Sequence, residues 1–327
     1  MIITGVNGFG RFGLHFLKYY LSNNKKTKFK ISYINDEKLN INQILHIINN
    51  DTYLDFKKYK FTQKGNNLFF LLNKKWQSIL FTKKKLSKLK WTNYVDFLLE
   101  CSGNYSSIKK LNFIKKTKNI KHVLISSTSW DCDKTLIYGF NHLKFKTNDK
   151  FISYGSCTVN AYMVLTQFII KYFGLVSSDV NIIHNLPEYK AINFKTIKKH
   201  PCTLEGMAPK LIKSLNKNNF LVNYTHIPYS GVSMIDFRFA LKKKITLSHF
   251  NRVLKSNIKK GMLKNLYGVS SKDKDPNFFK ESKNNCEIIL EKNILKNKNL
   301  YLFSYFDNEN SANRFFDLTN FIAKKYI

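Results

Sequence analysis

The chain has 327 residues, with 55 Lys and Arg against 21 Asp and Glu, a formal charge of +34 at pH 7. That length suits two domains, or one large one with an ample core, and 43% hydrophobic with 15% aromatic residues excludes global disorder. So basic a balance first suggests nucleic acid, but the arginines are only Arg11, Arg238, Arg252 and Arg314, and the lysines are scattered from end to end. Guanidinium forks are what read phosphate and guanine, so dispersed lysine is taken as background and no nucleic-acid partner is expected.

Five cysteines (Cys101, Cys132, Cys157, Cys202, Cys286) with no C-x-x-C pair argue against a disulfide framework and a zinc site. The start MIITGVNGFG has neither a basic nor a long apolar leader region, and no uncharged apolar run reaches about 18 residues. The expectation is a soluble cytoplasmic protein without metal or membrane.

Ile2-Ile3-Thr4 predicts a short strand leading into Gly5-Val6-Asn7-Gly8-Phe9-Gly10-Arg11-Phe12-Gly13. Apolar residues at helical spacing follow (His15 to Leu21), then an alternating strand, Phe29 to Ile34, ending at Asn35-Asp36. Gly8-x-Gly10-x-x-Gly13 therefore sits at a strand-to-helix junction, and Asp36 stands where a dinucleotide site needs an acid for the ribose hydroxyls. Gly8 permits the turn, Gly10 a close approach of backbone to pyrophosphate, and Gly13 close helix packing. The helix N-terminus adds amide donors and its positive dipole end. An acid at position 36 selects NAD over NADP by repelling a 2′-phosphate.

Tyr94 to Glu100 and His122 to Ser127 read as further strands, each preceded by Lys- and Asn-rich helical stretches, with Lys83 to Lys90 a solvated face. Strand–helix alternation to about residue 155 predicts a doubly wound parallel sheet. Its cofactor lies at the strand C-termini, near Ser102 and Ser126.

Phe151 to Tyr154 is a strand running through Gly155-Ser156 into a helix that opens at Cys157. Amides and the dipole at a helix N-terminus favour a thiolate there. His184 ends the strand Val180 to Ile183 and is placed to pair with Cys157, the arrangement that activates a thiol toward carbonyls. On spacing alone, such a Cys and His are more often packing than chemistry.

Three motifs together, Gly5 to Gly13, Ser156-Cys157-Thr158-Val159-Asn160 and Asp307-Asn308-Glu309, fall in order over nearly the whole chain, with Tyr138-Gly139-Phe140-Asn141-His142 between them. In this combination the chain resembles the glyceraldehyde-3-phosphate dehydrogenase family. The resemblance implies a Rossmann-type NAD-binding domain over 1–156 and an α+β catalytic domain with a mainly antiparallel sheet over 157–308. A C-terminal helix, 309–327, would pack back on the first domain. It also implies a homotetramer, NAD, and a place in glycolysis or gluconeogenesis. Carried over position by position, it implies Cys157 as nucleophile and His184 as base. Gly8, Phe9, Gly10, Arg11, Phe12, Asp36, Ser126 and Asn308 would touch the cofactor, and Ser156, Thr158, Thr203 and His226 the substrate or phosphate.

Departures bear on the substrate. His226-Ile227-Pro228 stands where the family carries an arginine for the substrate phosphate, and Pro187 where it carries Thr. The stretch from His184 to Pro201 is about ten residues short, with Lys190, Lys195, Lys198 and Lys199 as replacement charge. The stretches Leu99 to Tyr105, Asp133 to Gly139 and Ala312-Asn313-Arg314 resemble the erythrose-4-phosphate dehydrogenase branch, which releases its product to water. Glyceraldehyde 3-phosphate with inorganic phosphate is expected first, because Thr158 and Thr203 remain. A relict or RNA-binding member is the reading outside catalysis. His15, His46 and His122 are read as packing or surface groups, and the four other cysteines as small hydrophobes.

Overall fold

In the computed structural model, the structure describes residues 1–186, 197–229, 231–307 and 311–327, with Lys198 described by its backbone alone. The described chain divides into two units, Met1–Gly155 with Ala312–Ile327, and Ser156–Ser311.

In the first unit, β1 (Ile2–Asn7), α1 (Arg11–Ser22) and β2 (Phe29–Asn35) form the expected strand–turn–helix–strand. After α2 (Ile41–Asn50) come β3 (Phe61–Lys64), β4 (Asn67–Leu72) and β5 (Lys75–Thr82). β6 (Phe97–Glu100), short α3 (Asn112–Lys115), β7 (His122–Ile125), β8 (Lys134–Thr135) and β9 (Phe151–Ser153) complete the unit's sheet. Its order is β3-β4-β5-β2-β1-β6-β7-β9-β8, parallel from β5 to β8 and antiparallel only through β3 and β4. β6 and β7 are buried at every position, as in parallel strands covered on both faces.

Alternation along these strands feeds two cores. Phe97, Leu99, Leu124 and Ile152 join Phe16, Phe29 and the C-terminal Phe315 and Phe316, whereas Leu98, Val123, Ile125 and Phe151 join Trp91, Ile108 and Ile114.

Two expectations are corrected. The stretch before β6 is not helical but the β3–β5 meander, turned by Asn73 and Lys74 at φ 51° and 63°, the two positive φ values of a type I′ hairpin. The strand expected from Tyr94 begins at Phe97, because Lys90–Tyr94 forms a 3-10 turn. That turn stacks Trp91 on Tyr33 (5.3 Å) and presses it against Gly5, where a Cβ would lie 2.2 Å from the indole.

The second unit opens with α4 (Cys157–Phe173), buried along most of its length, and β10 (Leu175–His184). Then come β11 (Lys198–Lys199), α5 (Thr203–Leu211), β12 (Phe220–His226), β13 (Ser233–Leu241) and α6 (Leu247–Lys260). β14 (Gly268–Ser270), β15 (Glu287–Ile289), β16 (Ile294–Lys296) and β17 (Asn299–Phe306) follow, after which α7 (Ser311–Ala323) returns to the first unit from Ala312 on. The second sheet runs β11-β12-β10-β13-β17-β15-β14, with β16 on β17, and is mainly antiparallel. Tyr162 of α4 stacks on Phe237 and Phe239 of β13, anchoring the helix to the sheet.

Candidate functional site

In the first unit the glycines separate by function. Gly8 has φ +88°, and a Cβ there would lie 2.3 Å from the Ser102 backbone; at Gly13 it would lie 2.6 Å from the Gly8 carbonyl. At Gly10 it would meet nothing within 4 Å, and Gly10 caps α1 without a side-chain bond. Gly8 and Gly13 therefore serve the fold, while Gly10 borders open space before a helix N-terminus, a fit for pyrophosphate. Asp36 Oδ2 accepts from Phe9 N at 2.8 Å and Oδ1 from Lys38 N and Leu39 N at 2.9 Å, so this acid also braces the loop. Arg11 is held by Asp51 (Nη1 to Oδ2, 2.6 Å), and Phe12 packs edge-on against Tyr154 and Phe315. Ser126 N donates to the Glu100 carbonyl at 2.9 Å, just beyond β7.

Beneath the loop lies a buried acid that sequence reasoning left without a role. Glu100, 1% exposed at the end of β6, accepts from Asn7 Nδ2 (2.5 Å), Ser102 N (2.7 Å) and the Ser102 hydroxyl. Asn7 Oδ1 in turn accepts from Asn35 Nδ2 at 2.8 Å. Burial pushes the Glu100 carboxyl up to about 7 against the pull of these donors, with Glu37 adding repulsion. The folded chain thus binds more protons than the unfolded one between the ordinary 4.5 and about 7, and stability falls as pH rises through that window. Glu100→Gln is expected to gain on the wild type from pH 5 to pH 8 by up to about 3 kcal/mol, read as a widening difference in urea stability. A difference that does not change with pH would refute the burial effect.

In the second unit Cys157 is the first residue of α4, after the cap Ser156, whose hydroxyl accepts from Val159 N at 3.4 Å. Its Sγ lies 3.5 Å from Nε2 of His184, the last residue of β10. His184 Nδ1 lies 2.7 Å from the Asn185 carbonyl, which can only accept, so Nδ1 carries the proton and the neutral ring turns a bare Nε2 to the thiol. Asn185 is fixed from both sides: its N donates to Ser233 Oγ at 3.0 Å, Ser233 Oγ donates to its Oδ1 at 2.8 Å, and its Nδ2 donates to the Gly231 carbonyl. Burial pushes His184 down to about 4, the Asn185 bond opposing and the neighbouring His226 assisting. His184 is therefore neutral at pH 7 and available as a base.

Three hydroxyls converge beside this pair. Ser156 Oγ lies 3.2 Å from Thr158 Oγ1 and accepts from Thr203 Oγ1 at 3.0 Å. Thr203 opens α5, so two helix N-termini present amides and dipole ends to one place, an arrangement suited to an oxyanion or phosphate. His226 is in register with His184 across β10 and β12, their rings 5.5 Å apart.

Sequence reasoning missed three neighbours. Tyr224 OH lies 3.0 Å from His226 Nε2, its phenol pushed up by burial and then by the Cys157 and Cys202 thiols. His200 packs 4.3 Å from the His226 ring. Cys202, expected only as a small hydrophobe, caps α5 with Sγ 3.6 Å from Thr158 Oγ1, and burial pushes its thiol up, which keeps it protonated. Alternation along β12 puts Tyr224 and His226 on one face, a signal present in the sequence, whereas His200 required the β11–β12 pairing. Asn308, Pro187, Lys190 and Lys195 lie outside the described residues. Lys199 Nζ donates to Asn223 Oδ1 at 3.2 Å.

Residues 2–108 match the family described as glyceraldehyde 3-phosphate dehydrogenase, NAD binding domain. Over nearly its full length the chain is similar to glyceraldehyde-3-phosphate dehydrogenase 1 of Bacillus cereus, 24% identical over 99% of both chains. It is also similar to glyceraldehyde-3-phosphate dehydrogenase 2 of Caenorhabditis briggsae, 26% identical over 98% of both. The Geobacillus stearothermophilus enzyme is 24% identical over 98% of both. The chain is thus similar along its length to glyceraldehyde-3-phosphate dehydrogenases, and its first unit, with the glycine loop and parallel sheet, carries the match to that family's NAD-binding domain.

Proposed function

We propose that the protein oxidises D-glyceraldehyde 3-phosphate with NAD and inorganic phosphate, in glycolysis or gluconeogenesis. What carries this reading is Cys157 Sγ 3.5 Å from an imidazole nitrogen whose ring is locked through Asn185, beside hydroxyls gathered at two helix N-termini.

His184 Nε2 takes the thiol proton as Cys157 Sγ adds to the aldehyde carbon and returns it to the new oxygen, so the thiohemiacetal hydroxyl lies within the reach of His184. Gly10 and the first amides of α1 would hold the NAD pyrophosphate, and Asp36 the ribose. Bound NAD supplies the acceptor for the hydride. As the carbon loses its hydrogen, His184 Nε2 takes the hydroxyl proton, leaving a thioester on Cys157. Phosphate held by Ser156, Thr158 and Thr203 then attacks the acyl carbon, releasing an acyl phosphate and returning the thiolate. A thioester suits this sequence because it keeps the oxidation energy available for acyl transfer.

NADH formation is expected with glyceraldehyde 3-phosphate and to depend on inorganic phosphate. Preference for erythrose 4-phosphate with no phosphate dependence would assign the protein to the water-releasing branch. No NADH from either aldehyde would overturn the enzymatic reading. A cytoplasmic homotetramer belongs to the proposal; five free cysteines support a reducing compartment, and exposed Ile294 and Tyr301 on β16 and β17 support a covered sheet face.

A further inference from the structure

We propose that His200 and His226 form a proton-linked anion site, two adjacent imidazoles that take up a proton when a phosphate monoester binds beside Cys157. The inference rests on the activity reading for the location of the ester, but on its own geometry for the linkage.

The pair is built by the sheet. Lys198 and Lys199 pair antiparallel with His226 and Thr225, so His200 continues opposite Tyr224, where its N donates to the Tyr224 carbonyl at 2.9 Å. The ring centroids of His200 and His226 are 4.3 Å apart at 43°, and His226 is 5.5 Å from His184. The charged groups described around the pair are Lys199, next to His200 on β11 with its Nζ donating to Asn223, and Glu205 in the first turn of α5, near Cys202. His184 is held neutral by burial, the Tyr224 phenol touches His226 Nε2 at 3.0 Å, and the Cys202 thiol is held protonated. Cys157 lies beyond His184, and Lys199 is engaged with Asn223.

No arginine of this unit is available in its place. Arg238 pairs with Asp179 at 3.4 Å and Arg252 bonds His249 at 3.1 Å. The other two arginines, Arg11 and Arg314, belong to the first unit. A phosphate dianion near Cys157 therefore finds no available guanidinium among the described residues of this unit, but the two imidazoles, with the Lys199 ammonium on the residue before His200 donating to Asn223.

Imidazole changes charge near neutrality, and two cations this close repel one another. With a dianion in reach the sign of the interaction reverses, so binding and protonation favour each other by the same factor. Affinity for phosphate esters should then fall as pH rises through neutrality, while affinity for an uncharged aldehyde should not.

Glycerol 3-phosphate, which has no carbonyl for Cys157 to attack, is the probe. Calorimetry at pH 7.5 in two buffers of different ionisation enthalpy is expected to show net proton uptake on binding to the full-length protein. Affinity is expected to weaken about tenfold from pH 6.5 to 8.5. His200→Gln should lose most of the uptake and the pH dependence. His200→Lys, a permanent cation, should hold the ester at pH 8.5 about as well as the wild type does at 6.5. Absence of binding at pH 6.5, no net uptake, or the same uptake in His200→Gln overturns the proposal. The outcome is separable from the activity: proton-linked ester binding without NADH formation keeps this site and discards the reaction, and turnover without linkage does the reverse.

Discussion

Cys157→Ser is expected to lower kcat/KM for the aldehyde at least a thousandfold, a loss of about 4 kcal/mol of transition-state stabilisation. The helix N-terminus, the cap Ser156 and the Nε2 of His184 all remain, but they now face a hydroxyl in place of a thiol. A neutral imidazole cannot hold an alkoxide at pH 7 as it can a thiolate, and an ester intermediate would also conserve less energy than a thioester. His184→Asn should cost about a hundredfold to ten-thousandfold, the range for a positioned base. Because both residues act on one bond, the double variant should be little worse than Cys157→Ser alone. NAD binding should be unchanged in both, since no residue of the glycine loop is touched; titration of NAD beside steady-state kinetics checks this. Turnover persisting in Cys157→Ser would remove covalent catalysis from the proposal.

Legibility in the sequence followed how local each determinant is. The glycine loop and the cysteine at a helix start are set by residues adjacent in the chain, and Gly8, Gly10, Asp36, Ser156 and Cys157 could be read from spacing. The 3-10 turn at Lys90–Tyr94 could not, because its reason is Trp91 filling the space that Gly5 leaves on β1. The β3–β5 meander was masked by its lysines and asparagines, which resemble a solvated helix until the positive φ of Asn73 and Lys74 is seen. Arg11 and Phe12 have side-chain partners that the motif does not reveal: the guanidinium is held by Asp51, and the ring packs edge-on against Tyr154 and Phe315. At the second site His184 was legible as a strand end, yet His200 and Tyr224 depend on the register of β11, β12 and β10, and no window of sequence contains all three.

The glycine loop gives the other large effect, and its three glycines should fail in different ways. Gly8→Ala places a Cβ 2.3 Å from the Ser102 backbone at φ +88°, so the loop must move and lose the bonds that Asn35 and Asn7 make across it. A destabilisation of about 2–4 kcal/mol follows from strain and overpacking together. Gly13→Ala gains about 1 kcal/mol of helix propensity, but its Cβ would lie 2.6 Å from the Gly8 carbonyl, which is backbone and cannot rotate away. The clash should outweigh the propensity, and the variant should melt below the wild type. Gly10→Ala meets nothing within 4 Å and has φ −74°, ordinary for alanine, so its apo melting temperature should stay close to wild type. Its new methyl would occupy the space through which backbone amides approach a pyrophosphate. NAD should therefore raise the wild-type melting temperature and leave that of Gly10→Ala nearly unmoved, because stabilisation by a ligand follows its concentration relative to Kd. If Gly10→Ala retains the full NAD-induced shift, the pyrophosphate does not lie at this loop, and the open space beside α1 has another use.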